Sequence, residues 1–503
     1  MAAYLYSELS RGFAKPDAVA FDVPGGRTLT YRDLDAETAR MANALVAAGV
    51  KPGDRVAAQV EKSLEAVILY LGAVRAGGVF LPLNTAYTPA EIGYFLGDAE
   101  PAVFVCDPKK RDALGDVAKN VPTILTLGAD GSGTLTERAA KAPATDPGVS
   151  RGPDDLAAIL YTSGTTGRSK GAMLSHENLA SNARTLVDYW RFTRDDVLIH
   201  ALPIYHTHGL FVAINTLLMA GGAMIFMAKF DADQAMAQMA RATSMMGVPT
   251  FYTRLIDHPK LSPETTSHMR LFISGSAPLL AETHRAFSAK TGQAILERYG
   301  MTETNMNTSN PYDGERIPGT VGFPLPGVEL RVADPESGKI LPQGEIGVIE
   351  VRGPNVFQGY WRMPEKTAAE FRADKFFITG DLGKVDERGY VHIVGRGKDL
   401  VITGGFNVYP KEVETEIDAM PGVVESAVIG VAHPDFGEGV TAVVVKDKGA
   451  TLSEAEIVAS LETRLAKFKQ PKRVLFVDDL PRNTMGKVQK NVLREMFAEL
   501  YAK

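Results

Sequence analysis

The sequence predicts an α/β protein with a large N-terminal domain of mostly parallel sheets flanked by helices, a β subdomain, and a small α+β C-terminal domain. Three observations predict it. Short apolar runs alternate with helical patterns through the first three hundred residues. Short strands with Gly and Pro turns dominate from about 320 to 396. The last hundred residues read as a separate unit, and 503 residues are enough for two or three domains.

In chain order, "TYRDLDAETARMANALVAAG" has apolar residues at helical spacing and stops on Gly49. "DRVAAQV" is a strand, "LEAVILYLGAVRAGG" a helix with a Gly stop, and "PAVFVCD" and "LAAILYTSG" are apolar runs that end in turn residues. Such runs imply a parallel sheet covered on both faces. "LFVAINTLLMAGGAMIFMA" (210–228) has the apolarity of a membrane span, but Gly221–Gly222 divides it into a buried helix and a buried strand. "VELRVADPESGKILPQGEIGVIEVRG" opens the β subdomain. "ESAVIGVAHPDFGEGVTAVVVKDKG" is a strand pair, and "SEAEIVASLETRLAKF" an amphipathic helix with a Ser453/Glu456 capping box. The domain boundary is placed within "GRGKDLV" (395–401), giving domains 1–396 and 397–503.

A net charge of −6 gives no footprint for nucleic acid. A single cysteine, Cys106, excludes an internal disulfide and a cysteine zinc cluster, and fits a reducing compartment. The start, "MAAYLYSELSRGFAKPDA", lacks the basic-then-apolar pattern of a secretory signal, so a cytoplasmic protein is expected.

"YTSGTTGRSKGAMLSH" (161–176) follows an apolar strand and precedes a helical pattern. Its glycines let backbone N–H groups approach phosphate oxygens, its hydroxyls add donors, and Lys170 adds a point charge. It departs from the P-loop pattern, because Gly171 follows Lys170 where that motif needs Ser or Thr.

This stretch resembles the signature loop of the adenylate-forming enzymes: acyl-CoA synthetases, aryl-CoA ligases, luciferases and peptide-synthetase adenylation domains. Ser169 stands where the family usually has Pro. "GSAPL" (275–279), "ERYGMTE" (297–303), "TGD" (379–381), "GRGKDLVITGGFNVYPKEVE" (395–414) and "PRNTMGKVQK" (481–490) resemble its further motifs in the same order. The resemblance implies ATP, Mg²⁺ and CoA as reactants or cofactors, with a carboxylate attacking the ATP α-phosphate and expelling pyrophosphate.

The resemblance also implies residue roles. Thr162, Ser163, Gly164, Thr165, Thr166, Gly167 and Lys170 would hold the β- and γ-phosphates. Glu303 would hold Mg²⁺, and Thr302 would touch the α-phosphate. Ser276, Ala277 and the segment Glu297, Arg298, Tyr299 and Gly300 would line the adenine, with Tyr299 stacking. Asp381 would accept the ribose hydroxyls, with Arg396 nearby. Lys487 would bridge carboxylate and α-phosphate. Lys398 would be the hinge of a mobile C-terminal domain, and with Arg168 could meet CoA phosphates. Gly404 and Gly405 would line the pantetheine path. Each has a plainer reading: Asp381 and the two glycines as turn residues, Glu303 as a cap, Lys487 as one solvated lysine in a basic tail.

His206, in "ALPIYHTHGL", matches a family position near the acyl group; His208 reads as structural. Ser276 would border the acid as well as the adenine. Arg298 stands where many relatives have a small residue, and Arg254 lies in another segment bordering the acyl pocket. A guanidinium there would pair with a second carboxylate and disfavour long apolar chains. This resembles malonyl-CoA synthetases, which implies malonate or methylmalonate as the acid. The plainer reading pairs Arg298 with Glu297. The alternatives are a ligase for another short acid, a non-catalytic nucleotide-binding relative, and a luciferase-like enzyme. No nucleic-acid or membrane partner is expected, and the sequence leaves the oligomeric state open.

Overall fold

The computed structural model describes residues 3–162, 169–404, 406–462, 464–483 and 486–502. The predicted phosphate-loop residues Ser163, Gly164, Thr165, Thr166 and Gly167, with Arg168 and Gly405, lie outside the described residues.

Two sheets build the N-terminal part. One has nine strands in the order Phe323–Pro324, Asn305–Ser309, Leu296–Met301, Leu271–Ser274, Ser244–Gly247, Val197–His200, Ala223–Phe226, Val19–Asp22 and Thr28–Thr30. It is parallel from Leu296–Met301 to Val19–Asp22 and antiparallel at both edges. The other runs Thr123–Thr126, Val103–Cys106, Arg55–Gln59, Val79–Pro82, Leu156–Thr162, Lys170–Ser175, with only the last strand antiparallel. Val79–Pro82, Val103–Cys106 and Leu271–Ser274 are buried at every residue, as strands covered on both faces must be.

Helices form where the sequence supplies both an apolar stripe and a cap. Tyr31–Ala47 starts in a Thr30/Asp33 capping box, and Leu34, Met41 and Leu45 face the core. Leu64–Arg75 is apolar almost all round because it is buried on nearly every side. Pro89–Ala99 combines Pro at its first turn with a Thr88/Glu91 capping box.

An antiparallel sheet of four strands, Glu329–Ala333, Gly347–Arg352, Phe377–Val385 and Val391–Arg396, follows. After the tight turn Gly397–Asp399 comes a five-stranded sheet built from Val401–Thr403, Phe406–Val408, Val423–His433, Gly437–Lys446 and Arg473–Val477. It has its own core, with Val401, Val413, Ile417, Val440 and Ile457 packed together.

Three local expectations change. The glycine-rich loop does not lead directly into a helix: the strand Lys170–Ser175 intervenes, pairs with Leu156–Thr162, and only then caps the helix His176–Tyr189 through Ser175. The loop therefore joins two antiparallel strands, and Lys170 lies opposite Thr162. The helix expected over 453–468 ends at Leu461, although its Ser453/Glu456 capping box forms. The apolar stretch at 210–228 is a buried helix, a turn at Gly221 and a strand, but its first part, His208–Asn215, is a π-helix. Among the described residues no helix is long and apolar enough to cross a membrane.

Candidate active site

Open parallel sheets bind ligands beyond the carboxyl ends of their strands. Four neighbouring strands of the nine-stranded sheet end at His200, Gly247, Ser274 and Met301. The segments that follow carry His206 and His208, Thr250, Ser276 and Ala277, and Thr302 and Glu303. Topology thus gathers residues a hundred positions apart along one edge.

Arg298 lies on the strand Leu296–Met301 and is 4% exposed. Side chains alternate across a strand, so Glu297 points the other way. Glu297 instead meets His284 Nδ1 at 3.1 Å and accepts from the Gly319 amide at 3.1 Å. The Glu297–Arg298 pair is therefore not formed. Among the described residues no carboxylate pairs with Arg298, and its Nε and Nη2 have no hydrogen-bond partner. Burial pushes its pKa down to about 9, which leaves it charged near neutrality. Its guanidinium lies flat against Gly275, where a Cβ would come within 2.3 Å of Cζ. The glycine of "GSAPL" is thus the floor under the arginine.

His206 and His208 stand beside this cation. Burial, then the charges of Arg298 and Lys487, lower the His206 pKa to about 4, so the ring is neutral. His208 is buried, and its Nδ1 meets Ser276 Oγ at 3.1 Å. Ser276 has φ +70°, a left-handed backbone unusual for a residue with a side chain. Arg254 is not buried with Arg298. It is exposed on the helix Pro249–Ile256, one turn beyond Thr250.

Glu303 sits in the turn between Leu296–Met301 and Asn305–Ser309, next to the partly buried Thr302. It is 6% exposed, and burial raises its pKa. Tyr360 donates a hydrogen bond to Glu303 Oε1 (3.1 Å) or to Glu370 Oε2 (2.7 Å), bridging the two carboxylates. Lys170 Nζ lies 3.2 Å from Glu370 Oε1 and 4.0 Å from the Tyr360 ring centroid. Tyr360 and Glu370 were not foreseen: they lie about sixty residues from Glu303, in a segment with no motif of its own.

Asp381 is more than a turn residue. It accepts from the Tyr299 hydroxyl at 2.5 Å and pairs with Arg396 Nε at 2.6 Å. The Asp381 charge raises the Arg396 pKa. Tyr299 is tied to Asp381 through its hydroxyl, leaving the ring as its remaining surface, beside Gly300.

Lys487 arrives from the small domain. Its amide donates to Asn483 Oδ1 at 2.9 Å, and Arg482 donates to the Gly486 carbonyl at 2.7 Å while pairing with Glu425. The loop rests on the large domain: a Cβ at Gly486 would lie 3.3 Å from Thr250 Cγ2. Lys487 keeps access to solvent. Burial of its ammonium, then the Arg396 charge, lower its pKa. Lys398 and Gly404 are exposed, and Gly404 has φ +56°.

Comparison with known proteins agrees with this assembly. The AMP-binding enzyme family matches residues 11–361, and the AMP-binding enzyme C-terminal domain matches residues 412–487. The ATP-bound crystal structure of MatB from Rhodopseudomonas palustris is 69% identical over 100% of both chains, with a TM-score of 0.98. Its apo structure superposes at 0.87 over the same share of both chains. Feruloyl-CoA synthase of Amycolatopsis sp is 38% identical over 94% of this chain and 95% of its own. The mitochondrial malonate–CoA ligase ACSF3 of Mus musculus is 34% identical over 94% and 87%. With these matches spanning nearly its whole length, the chain belongs to the AMP-binding enzymes.

Proposed function

We propose that this protein joins malonate to CoA through a malonyl-adenylate. Malonate oxygen attacks the α-phosphorus of ATP and pyrophosphate leaves. The CoA thiol then attacks the acyl carbon and AMP leaves, giving malonyl-CoA. Identity to the curated relatives alone does not select the acid, because a feruloyl-CoA synthase and a malonate–CoA ligase are comparably similar. The carrying observation is Arg298: a buried guanidinium with no carboxylate partner among the described residues. The distal carboxylate of a dicarboxylic acid would supply the missing counter-charge, with bidentate geometry available.

The other roles follow from where the groups stand. The neutral His206 feels the charges of both Arg298 and Lys487 and lies next to the acyl carbon in this reading. Lys487 offsets the charge that develops between the carboxylate and the α-phosphate. Asp381 accepts the ribose hydroxyls, and the Tyr299 ring lies against adenine, bordered by Ser276, Ala277 and Gly300. Thr302 touches the α-phosphate. Thr162, Lys170 and the loop 163–167 hold the outer phosphates. Glu303 offers the single carboxylate that Mg²⁺ usually takes alongside phosphate oxygens, and the ion would neutralise the polyphosphate. Lys398 serves as the hinge between residues 1–396 and 397–503, and Gly404 and Gly405 as the lining of the thiol path. Methylmalonate fits the same charge pattern, since one methyl group changes discrimination by only ~1–3 kcal/mol. Arg254, exposed near the docked loop, is assigned to the outer mouth of the acid site.

ATP–pyrophosphate exchange without CoA tests this reading, with malonate, methylmalonate, succinate, acetate and octanoate offered separately. Exchange led by malonate, and lost in Arg298→Gly, is expected. Exchange led by acetate or octanoate would overturn the dicarboxylate assignment.

A further inference from the structure

Lys62 has no part in the chemistry above. It follows the strand Arg55–Gln59 at the carboxyl edge of the six-stranded sheet, yet its ammonium reaches the other sheet. It lies 2.9 Å from His200 Nδ1 and 2.9 Å from the His200 carbonyl oxygen. The Phe226 ring centroid is 4.4 Å away. Among the described residues no carboxylate pairs with it. Two neutral acceptors and one aromatic face thus take the place of a counter-ion.

His200 is fully buried at the end of its strand. Its Nε2 is 2.8 Å from the Gly209 carbonyl oxygen. That oxygen can only accept, so the ring proton is on Nε2 and Nδ1 is an acceptor, which Lys62 fills. Gly209 is packed closely on the strap: a Cβ there would fall 2.1 Å from the Pro203 carbonyl oxygen. The Leu210 amide donates to the His206 carbonyl at 3.0 Å, closing the same short strap. Thr207 donates to Asn305 Oδ1 at 3.0 Å, and His208 meets Ser276. The strap 203–210 is therefore held from three sides, and Lys62 with His200 is one of them.

We infer that Lys62 is a positioning residue for the acid end of the site, acting through His200 and the Gly209 carbonyl to hold His206 and His208 against Arg298. The inference rests on the proposed acid site but not on which acid fills it. A lysine that merely sealed the two sheets together would affect every substrate alike; one that sets this strap affects the acid.

The test is steady-state exchange by Lys62→Met, which keeps an unbranched stem and removes the donors. KM for malonate is expected to rise about tenfold, the worth of one good hydrogen bond, with KM for ATP unchanged within about twofold. Lys62→Arg, which retains donors, is expected to recover most of that loss. Unchanged malonate KM, or equal rises in both KM values, would overturn the inference. If Lys62→Met does not fold, ¹⁵N imidazole spectra of the wild-type protein decide: His200 protonated at Nε2 supports the inference, and protonation at Nδ1 overturns it. If the wild type adenylates a different acid, the malonate reading fails, and the same KM split measured with that acid tests Lys62 separately.

Discussion

A guanidinium buried without a partner destabilises a fold, and removing it relieves that cost. Arg298→Met is therefore expected to lower malonate-dependent exchange by about a hundredfold, the worth of a charged pair at the upper end, and to raise the thermal midpoint. Calorimetry beside the exchange assay checks both directions. Lys487 gives a second prediction. Its pKa is lowered, and the proposed reaction uses its ammonium, so the alkaline limb of the adenylation profile should fall below the ordinary lysine range. His206, at about 4, is already neutral at pH 6 and should add no limb near 6.5. A profile with an acid limb near 6.5 that disappears in His206→Asn would contradict this. At this scale the sequence singled out Glu303, Asp381 and Lys487 by residue type and motif, and the structure gives each its partners. It was silent on what those residues touch: nothing local says that Glu297 turns to His284 while Arg298 turns to Gly275, until the strand's alternation is set in its sheet.

Among elements, the strand Lys170–Ser175 has the widest effect. It pairs with Leu156–Thr162 on one side, and its backbone bonds to Gly359 and Trp361 on the other. This second pairing brings the segment with Tyr360 and Glu370 under Lys170. Burial opposes ionisation of Glu370, but bonds from Lys366, Tyr360 and Lys170 outweigh it and hold its pKa low. In the proposed reading Glu370 competes with phosphate for Lys170. Glu370→Gln is expected to lower KM for ATP about threefold, the worth of a partly screened pair; a raised KM would contradict this. The long periodic helices and apolar strands were legible because their pattern and caps are local. The short strand after the glycine loop was not, since six mixed residues take strand form only through partners on both sides. The helix expected over 453–468 stopped at Leu461 for a related reason: an amphipathic pattern marks a face but not where the chain must turn away.

For the whole molecule, burial lowers the pKa of four histidines: His176 and His206 to about 4, and His200 and His208 well below the ordinary value. Their folded-state values lie below the unfolded one, so the unfolded chain binds more protons and stability is lost as pH falls below about 6.5. Each contributes up to about 1.4 kcal/mol per pH unit across that window. Urea midpoints measured from pH 7.5 to 5 should drop steadily, and a flat response would show these rings to be protonated in the fold. The division into parallel sheets, β subdomain and terminal unit was read from texture alone, because each architecture imposes its own spacing of turns. The meeting of the terminal unit with the large domain was not, since nothing in "PRNTMGKVQK" names the surface it rests on.

That meeting point is narrow. Gly486 faces Thr250 closely: an added Cβ would lie 3.3 Å from Cγ2, so the threonine would have to give by a few tenths of an ångström. A single methyl at position 486 would act as a shim between the Lys487 loop and Thr250. Gly486 also has φ +74°, a left-handed backbone that alanine adopts only with strain, so Gly486→Ala would disturb the lysine loop itself as well as its fit against Thr250.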